Sequence, residues 1–461
     1  MNKRELYLHE KPILIFPARI QKTGYFTIPI KVIDQLEIDE NYVVLFRLKD
    51  FPEYDLLSKV TSVRKTGNKE LRLIINNSVR SKLNLILPKT IELEIMYIYK
   101  KGYKPCFDKI DGLIDILSYF FDDKRFTIFD RGNGYMTVHY LERSCPSIIT
   151  IPKYLKIDEF SCWNFGFYLA EGTKHPKDYR LSADNAKEYL MERFRDFGEN
   201  YLGIDRDEWF LDISTDQYHE NKIDFWKRKL GINEDKIKLK VIKSKPPLAK
   251  YGNASLTIYD KILGFLIKKL IFDIGLIKNL SYENAFAFLR GAEAGDGGVL
   301  DYASGKIELT MTSLLKDLDI YKYLFSFVCS KPPKIKDHYA CDKVKILFYS
   351  GLDMTREYIM KGHFKEHRDR WSKLIRIYKN RDKVKIQFKY LNALKYGCVT
   401  LKQISLYAGT TRIACACMMK RFIEFGFVEC TKEDKEKIFH GNANIFNLTD
   451  EGERYVSLLS L

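Results

Sequence analysis

Cysteine is scarce in this sequence, and its few residues are not spaced as metal sites or redox motifs require. The 461 residues include nine cysteines and no Cys-X-X-Cys pair. Cys415 and Cys417 are two positions apart in an apparent helix, so their side chains point to different faces. No zinc site is visible, and we interpret the thiols as mostly buried and reduced in an intracellular protein.

Long apolar runs and targeting signals are also missing. No apolar run approaches the roughly 20 residues that span a bilayer, and the N-terminus, MNKRELYLHEKP, is not typical of a signal peptide. We therefore expect a soluble cytoplasmic protein without a membrane partner. The composition, 46% hydrophobic and 14% aromatic, argues against a disordered chain, and the length suffices for roughly three domains.

Acidic residues are fewer than basic ones, at 61 against 77, which gives a net charge of +16. A basic balance of this size favours nucleic acid or an anionic surface as the partner. A lysine-rich proteome would produce the same balance, so charge alone leaves the partner open.

Two stretches share one pattern of glycine and acid: NFGFYLAEG at 164–172 and LRGAEAGDG at 289–297. In each stretch a glycine is followed five positions later by an acid, Gly166 by Glu171 and Gly291 by Asp296. Another glycine follows each acid at once. The residues upstream of each acid are apolar and have helical character, so the pattern predicts two related helices that each end in a carboxylate.

Small residues four positions apart predict that these two helices pack closely. They are Gly166 and Ala170 in the first copy and Gly291 and Gly295 in the second, and residues four apart share one helix face. Such a face lets two helix backbones approach. The glycine after each acid is a natural helix end because it can adopt positive φ. We therefore expect the two carboxylates side by side at one end of the helix pair.

The expected position of the two carboxylates is electrostatically unfavourable. A helix C-terminus carries partial negative charge, and two carboxylates repel each other. Since local rules are usually broken at functional sites, we interpret Glu171 and Asp296 as ligands of a divalent cation, Mg²⁺ or Mn²⁺, which prefers carboxylate oxygens. Paired metals over a phosphodiester are an established route to hydrolysis.

The paired stretches resemble the motif of LAGLIDADG (DOD-type) homing endonucleases in their two-motif, single-chain form. The match is loose at the start of the nine-residue motif and good at the glycine, the acid and the closing glycine. The resemblance implies that Glu171 and Asp296 align with the two catalytic acids, which in the family bind divalent metal and support cleavage of both DNA strands. One copy alone would be typical of an ordinary amphipathic helix, whereas two copies with identical spacing favour the family.

The resemblance covers about 160–375 and implies an α+β protein with a pseudo-twofold duplicated αββαββα core and antiparallel DNA-binding sheets. Repeat 1 would span 160–280 and repeat 2 would span 281–380. For repeat 1 the sequence predicts strands at 173–181, 209–213 and 236–243 and helices at 186–197, 221–230 and 262–274. For repeat 2 it predicts strands at 306–312, 334–338 and 343–349, a helix at 314–329 and a closing helix from Thr355.

Basic residues on the predicted sheets are the candidate DNA contacts. Lys236, Lys238 and Lys240 alternate with apolar residues and so share one strand face. A solvated face of an antiparallel sheet would show the same alternation. Further candidates on predicted strands are Lys174, Arg180 and Lys306.

The family also places a lysine near the scissile phosphates, where it stabilises transition-state charge. The candidates for this catalytic lysine are Lys250 and Lys345, which the motif itself does not reach.

The first 100 residues contain an internal repeat, because apolar positions of 28–38 recur in 75–85. The first copy, ARIQKTGYFTIPIKVIDQLEIDENYVVLF, resembles the AbrB-like swapped-hairpin domain. This implies a small β-barrel at 1–100, formed as a tandem, with Arg19, Lys22 and Lys31 available to DNA phosphates. A barrel used only for packing is the alternative. Residues 101–159 would be a connector with a helix at 110–121 and strands at 125–129 and 135–140.

The C-terminal 385–461 has the pattern of a winged helix-turn-helix. Helices are predicted at 388–395, 401–408 and 410–425, wing strands at 427–431 and 444–448, and a last helix from Asp450. The third helix would enter the major groove, with Arg412, Lys420 and Arg421 as contacts. A winged helix that binds protein is the alternative.

Together these features predict a monomeric, site-specific endonuclease that hydrolyses double-stranded DNA with Mg²⁺ or Mn²⁺. A non-cleaving DNA-binding transcription regulator on the same scaffold is the first alternative. An RNA maturase is another, which higher affinity for structured RNA would identify. An intein is not expected, because the sequence has no terminal His-Asn splice signal and starts at its own Met.

Overall fold

The computed structural model describes 12–40, 42–52, 55–65, 68–75, 80–81, 83–100, 107–108, 112–120, 126–130, 134–140, 147–174, 180–216, 220–242, 249–339, 341–432 and 444–460. The chain divides into two compact units, Met1–Gly295 and Asp296–Leu461, and each unit has its own architecture. None of the helices within these ranges is long and apolar enough to cross a membrane.

The first part of unit 1 is rich in strands. It contains the short helix α1 (Ile30–Leu36), a 3₁₀ turn at Leu117–Phe120, and the strands β1 (Leu14–Ile20), β2 (Tyr25–Thr27), β3 (Tyr42–Leu48), β4 (Asp55–Lys59), β5 (Thr61–Lys65), β6 (Asn68–Ile74), β7 (Lys89–Lys100), β8 (Phe107–Asp108), β9 (Leu113–Asp115), β10 (Phe126–Asp130), β11 (Tyr135–Tyr140), β12 (Ser147–Pro152) and β13 (Tyr154–Lys156). Along β1, Phe16, Ala18 and Ile20 are buried and alternate with exposed residues, as expected for a strand with one face on the core.

These strands form three open sheets, so the predicted β-barrel is wrong for the part of 1–100 that the structure describes. The largest sheet has the order β1-β7-β3-β4-β10-β11-β12. Closure would require its edges to pair, but the free side of β4 is taken by β10, with Leu56 opposite Phe129. The sheet therefore continues into the predicted connector. Part of the second repeat copy, 76–79 and 82, lies outside the described residues.

The helix predicted at 110–121 is wrong within the described 112–120. Strand β9 occupies this region and pairs with β13, with Ile114 opposite Leu155. The Asp115 carboxylate then accepts a hydrogen bond from the Leu117 backbone N–H at 2.8 Å, which starts the 3₁₀ turn instead of a helix. The two strands predicted at 125–129 and 135–140 are confirmed as β10 and β11, with residue 125 outside the described range.

The second part of unit 1 alternates helices and strands. Its elements are α2 (Glu159–Glu171), β14 (Leu181–Asn185), α3 (Glu188–Leu202), β15 (Phe210–Thr215), α4 (Glu220–Leu230), β16 (Ile237–Val241), β17 (Asn253–Ile258), α5 (Lys261–Ile271), α6 (Ile274–Lys278) and α7 (Tyr282–Asp296). The sheet order is β14-β17-β15-β16. Helix α3 shows the expected apolar stripe, with Leu190, Phe194 and Phe197 buried.

This sheet differs from the prediction in its strand directions. Strands β15 and β16 run parallel, with Leu211 opposite Ile237, whereas the prediction was an antiparallel sheet. Helix α4 connects the two strands, and a helical crossover returns the chain in the same direction. The other pairs, β14 with β17 and β15 with β17, are antiparallel.

Several predicted boundaries in unit 1 are also corrected. The strand predicted at 173–181 is instead Leu181–Asn185, with Gly172 bridged to Ala183 and 175–179 outside the described residues. Strand β17 had not been predicted. The helix predicted at 262–274 ends at Ile271, because Asp273 accepts a hydrogen bond from the Leu276 backbone N–H at 3.0 Å and caps α6.

Unit 2 begins with a four-stranded sheet and continues into helices. Its elements are β18 (Gly297–Asp301), β19 (Ile307–Leu314), α8 (Leu318–Val328), β20 (Lys334–Asp337), β21 (Val344–Ser350), α9 (Leu352–Lys361), α10 (Arg368–Lys379), α11 (Asp382–Lys395), α12 (Leu401–Ala408), α13 (Arg412–Glu424), β22 (Val428–Lys432), β23 (Asn444–Leu448) and α14 (Asp450–Ser460). The sheet order is β18-β19-β21-β20, and every pair is antiparallel. Strand β18 and helix α10 had not been predicted.

The helices of unit 2 are joined by buried polar and cation–π contacts. The Arg356 guanidinium on α9 lies 3.4 Å from the ring centroid of Phe425, which follows α13. The Tyr378 hydroxyl on α10 is 2.9 Å from the Tyr455 hydroxyl on α14, and this pair is buried. Burial raises the pKa of Tyr455 to about 12 and the pKa of Tyr378 well above its usual value.

Alkaline pH is expected to destabilise unit 2 through this tyrosine pair. Tyrosine in the unfolded chain ionises near pH 10, so the unfolded state loses these protons first and the free energy of unfolding falls as the pH rises from about 10 to 12. The variant Tyr378→Phe/Tyr455→Phe should show a flatter pH dependence, measured by urea unfolding at pH 8 to about 11.5. Tyr339→Phe, at a residue that is 94% exposed, is the control. Equal pH dependence in the double variant and the wild type would contradict this account.

Candidate functional site

The first motif helix, α2, begins at a reciprocal cap and is buried along most of its length. Asp158 Oδ1 accepts a hydrogen bond from the Ser161 backbone N–H at 3.0 Å, and Ser161 Oγ accepts one from the Asp158 N–H at 3.0 Å. Every residue from Ser161 to Leu169 is buried. A helix that is apolar all round lies in a core, so α2 is a fixed frame for the carboxylate at its end.

Within unit 1, helices α2 and α7 touch backbone to backbone. A Cβ built on Gly166 would lie 1.8 Å from the carbonyl oxygen of Phe288, and a Cβ built on Gly291 would lie 1.8 Å from the carbonyl oxygen of Trp163. The contact is therefore reciprocal. Neither position has space for any side chain.

The small-residue contact extends to the end of α2. A Cβ on Gly295 would lie 2.5 Å from the Ala170 Cβ and 2.8 Å from the Glu171 Cγ. The structure thus brings Gly166, Ala170, Gly291 and Gly295 into one helix interface, and Asp296 is the next residue of the chain.

The glycine after each acid has a different role from the one expected. Gly172 has φ −76°, which any residue can adopt, so it does not form a left-handed helix end. Its Cβ would meet the Tyr168 carbonyl oxygen at 2.4 Å and the Tyr168 ring at 2.6 Å. Gly297 starts strand β18 directly after α7. At Gly172 it is the close approach of Tyr168, and not the backbone angle, that requires a glycine.

The Glu171 carboxylate is half-buried and held by polar neighbours in unit 1. Asn185 Nδ2 donates a hydrogen bond to Glu171 Oε1 at 2.8 Å. The Lys174 ammonium donates to the carbonyl oxygen of Leu169, which places a cation at the C-terminus of α2 and offsets its negative end. Lys174, predicted to contact DNA, therefore supports the helix that carries Glu171.

The carboxylates fit one mode of metal binding and not another. Within the described ranges, no group of three or more His, Cys, Asp or Glu is placed to hold a metal ion. Mg²⁺ is often held by one or two carboxylates together with water and substrate phosphates. Glu171 is half-buried at the end of α2, and Asp296 is half-buried at the end of α7. A carboxylate at a helix end, completed by water and phosphate oxygens, has the chemistry of this second mode.

The polar face of the unit 1 sheet carries both signs of charge. Lys238 and Lys240 are exposed on β16, in register with Asp212 and Ser214 of β15. Lys236 lies in the 3₁₀ turn Glu234–Lys236 before the strand, so the observed strand starts at Ile237, one residue later than predicted. Sequence reasoning did not identify the carboxylates on this face, because only the strand pairing shows which residues lie on the same face of the sheet.

Two further candidates in unit 1 contact aromatic rings. The Arg180 guanidinium lies 5.9 Å from the ring centroid of Tyr259. The Lys250 ammonium lies 5.0 Å from the ring centroid of Tyr251, which stacks on Phe225 at 3.8 Å. Both basic residues are exposed, so Lys250 lies on a surface aromatic cluster.

Two lysines at the unit 2 sheet form ion pairs with one buried glutamate. Glu308, with a side chain only 3% exposed, pairs with Lys306 at 3.0 Å and also with Lys336. Burial would raise the pKa of Glu308, but hydrogen bonds from Lys336 and Lys306 outweigh this and hold the pKa below its usual range. Sequence reasoning missed Glu308 and Lys336; the alternation of Lys306 and Glu308 was the available signal.

The second candidate catalytic lysine is engaged on the other side of this sheet. Lys345 forms an ion pair with Asp337, its partner in the strand register. Alternation places Lys345 on the strand face that carries Leu347 and Tyr349, which are buried. It therefore does not share a face with Lys306 and Lys336.

The three candidates in the C-terminal region lie together on α13. Arg412, Lys420 and Arg421 are exposed, while Cys415 and Phe422 are buried. The helix begins at Thr411, whose hydroxyl accepts a hydrogen bond from the Ala414 backbone N–H at 3.2 Å. The helix therefore carries three exposed basic residues.

Comparison with known proteins gives weak structural similarity and nothing more. No family profile and no curated protein matches the chain. Among solved structures, I-DmoI in complex with DNA and Mn is 14% identical, with 45% of this chain and 98% of that chain covered and a TM-score of 0.26. The LAGLIDADG homing endonuclease I-GzeII in complex with its DNA target is 11% identical, with 50% and 99% covered and a TM-score of 0.25. TM-scores of this size establish neither the fold nor the activity.

A methyl group at the helix contact is expected to be strongly destabilising. Gly166→Ala places a Cβ against the Phe288 carbonyl oxygen, so the two helix backbones must separate, which should cost about 2 kcal/mol or more. Urea unfolding measures the loss. Gly275→Ala is the control, because among the described residues, its chain neighbours and own helix backbone aside, only Asp273 Oδ1 lies within 4 Å of its Cβ, at 3.0 Å, and a shift of a few tenths of an ångström in that side chain relieves the contact. Equal stability of the two variants would contradict the close helix contact.

Proposed function

We propose that this protein is a site-specific double-strand DNA endonuclease of the LAGLIDADG type. The observation that carries the proposal is the pair of motif copies with one spacing, combined with the reciprocal contact of Gly166 and Gly291 on α2 and α7. Each copy places a glycine against a carbonyl oxygen of the other helix and an acid at its own helix end, and both features are locally unfavourable. Because such features usually mark a functional site, their repetition supports a function that the two helices share.

Glu171 and Asp296 are the proposed metal ligands and catalytic acids. A bound Mg²⁺ or Mn²⁺ would supply Lewis-acid charge for the scissile phosphates. Asn185 fixes the direction of the Glu171 carboxylate through its 2.8 Å hydrogen bond, and Lys174 offsets the helix end beside it. The burial of α2 keeps these groups in one position, which is the form of preorganisation that catalysis requires.

The polar face of each sheet is the proposed DNA surface, with Lys238 and Lys240 in unit 1 and Lys306 in unit 2 binding phosphates. Asp184 and Asp212 lie on the unit 1 face and can accept hydrogen bonds from cytosine N4 in the major groove. The carboxylates of this face can therefore make DNA binding sequence-specific, in addition to the affinity that the lysines supply.

The remaining regions are proposed to be accessory DNA-binding modules on a monomer. We assign repeat 1 to 160–280, repeat 2 to 281–380 and a winged helix to 385–461, whereas 1–100, predicted as an AbrB-like tandem, shares a sheet with the predicted connector 101–159. The order α11, α12, α13, β22, β23, α14 supports the last assignment, since it is three helices followed by a hairpin and a helix. Lys250 and Lys345 remain weaker candidates for a catalytic lysine.

A non-cleaving DNA-binding regulator is the second candidate. It is favoured by the three exposed basic residues of α13, which can bind DNA whether or not the motif acids act. On this alternative Glu171 and Asp296 would keep only a structural role.

Cleavage of a randomised duplex library with Mg²⁺ or Mn²⁺ tests the proposal. The wild type should cut one long site, and Glu171→Gln/Asp296→Asn should bind that site but cut at least about a hundredfold more slowly, because the metal ligands are lost.

Glu234→Gln/Asp319→Asn removes two exposed carboxylates and is the matched control. If wild type and motif variant bind one site equally and neither cuts, the regulator is the correct function.

Salt dependence tests the winged helix separately. Arg412→Ala/Lys420→Ala/Arg421→Ala should reduce the slope of log K against log salt by about 2 to 3, since each phosphate contact contributes about 0.9. The control removes three exposed lysines from elsewhere in unit 2: Lys365, Lys373 and Lys383. An unchanged slope in the α13 variant would assign this helix to another partner.

A further inference from the structure

Four side chains form a row across one end of the unit 1 sheet. They follow the strand order β14-β17-β15-β16: Arg180 precedes β14, Tyr259 follows β17, Phe210 starts β15 and Lys236 precedes β16. Because adjacent strands are about 4.8 Å apart, the row spans about 14 Å.

Neighbouring members of the row are in contact. The rings of Tyr259 and Phe210 meet edge to face, with centroids 5.1 Å apart and planes at 71°. The Arg180 guanidinium lies 5.9 Å from the Tyr259 centroid, and the Lys236 ammonium lies 5.4 Å from the Phe210 centroid. Two aromatic rings are thus flanked by a cation at each end.

All four side chains belong to the polar face of the sheet. Thr257 is in register with both Phe210 and Ser182, so these three residues share a face. Alternation along the strands puts Tyr259 and Arg180 on that face too. The helix-covered face carries Leu181, Ala183, Leu211, Ile213 and Leu256, which are fully buried.

The row is open to solvent. The Tyr259 side chain is 52% exposed, Arg180 is exposed, and Phe210 and Lys236 are half-buried. The exposed lysines Lys238 and Lys240 continue the positive charge along β16. A large aromatic surface between cations is the combination that recognises bases joined by phosphates.

We propose that the row is a stacking site for an unpaired nucleobase of single-stranded nucleic acid. The base stacks on Tyr259, Phe210 fixes the tyrosine ring from its edge, and Arg180 and Lys236 bind the flanking phosphates. An unpaired base is required, because in a duplex the π-faces are already covered by neighbouring bases. This activity is additional to duplex cleavage and does not involve Glu171 or Asp296.

The test is a binding titration with short fluorescent oligonucleotides, followed by anisotropy. The probes are a single-stranded DNA, the RNA of the same sequence, an abasic DNA strand of equal length and a blunt duplex. The variants are Tyr259→Ala, Tyr259→Phe and the control Tyr339→Ala, which removes a tyrosine that is 94% exposed in unit 2.

Tyr259→Ala should weaken single-strand binding about tenfold and leave the abasic strand and the duplex within about twofold of wild type. Tyr259→Phe keeps the ring and should bind as wild type does, while retained binding of the abasic strand and the duplex by Tyr259→Ala shows that this variant is folded. The DNA and RNA strands distinguish the two sources of the base, and either supports the site.

Unchanged single-strand affinity in Tyr259→Ala would overturn the proposal. So would equal loss for the abasic strand, which would make the row a phosphate site, or loss confined to the duplex, which would make it part of the duplex surface. Failure of the endonuclease proposal is a separate result, because absence of cleavage does not affect single-strand binding.

Discussion

The contact of two helix backbones within unit 1 is the constraint on which the candidate site depends. Gly166 and Gly291 each lie against a carbonyl oxygen of the opposite helix, so the helices cannot slide or rotate without a clash. Side-chain packing can absorb small changes, whereas backbone contact cannot. The position of the Glu171 carboxylate is therefore fixed by residues one turn or more away from it.

Charge on the sheet faces is organised locally and is not spread as a uniform basic surface. Lys306 and Lys336 converge on the buried carboxylate of Glu308, and Lys238 lies opposite Asp212. The net charge of +16 thus conceals surfaces on which acids and bases alternate. Such surfaces can favour one anionic ligand geometry over another, which a simple excess of lysine does not achieve.

Much of the secondary structure could be predicted where short-range signals are strong. Helix α12 and strand β23 were placed correctly to the residue, because Thr400 caps the helix and Gly409 ends it at φ 65°. Prediction failed where distant residues decide the outcome. The pairing of Ile114 with Leu155 made a strand of a helical pattern, and the parallel direction of β16 follows from the crossover through α4.

The candidate site shows the same division. The spacing of glycine and acid was visible in the sequence, and so was the small-residue face. The partners were not: Asn185 reaches Glu171 from 14 positions away, and Lys336 reaches Glu308 from 28 positions away.

The open sheet has one further consequence. Because β4 and β10 pair, the N-terminal strands are not a detachable module. A chain shortened by removal of 1–100 alone would expose the bare edge of β10, which could recruit other chains, so a fragment that keeps β10, β11 and β12 must also keep the strands that cover that edge.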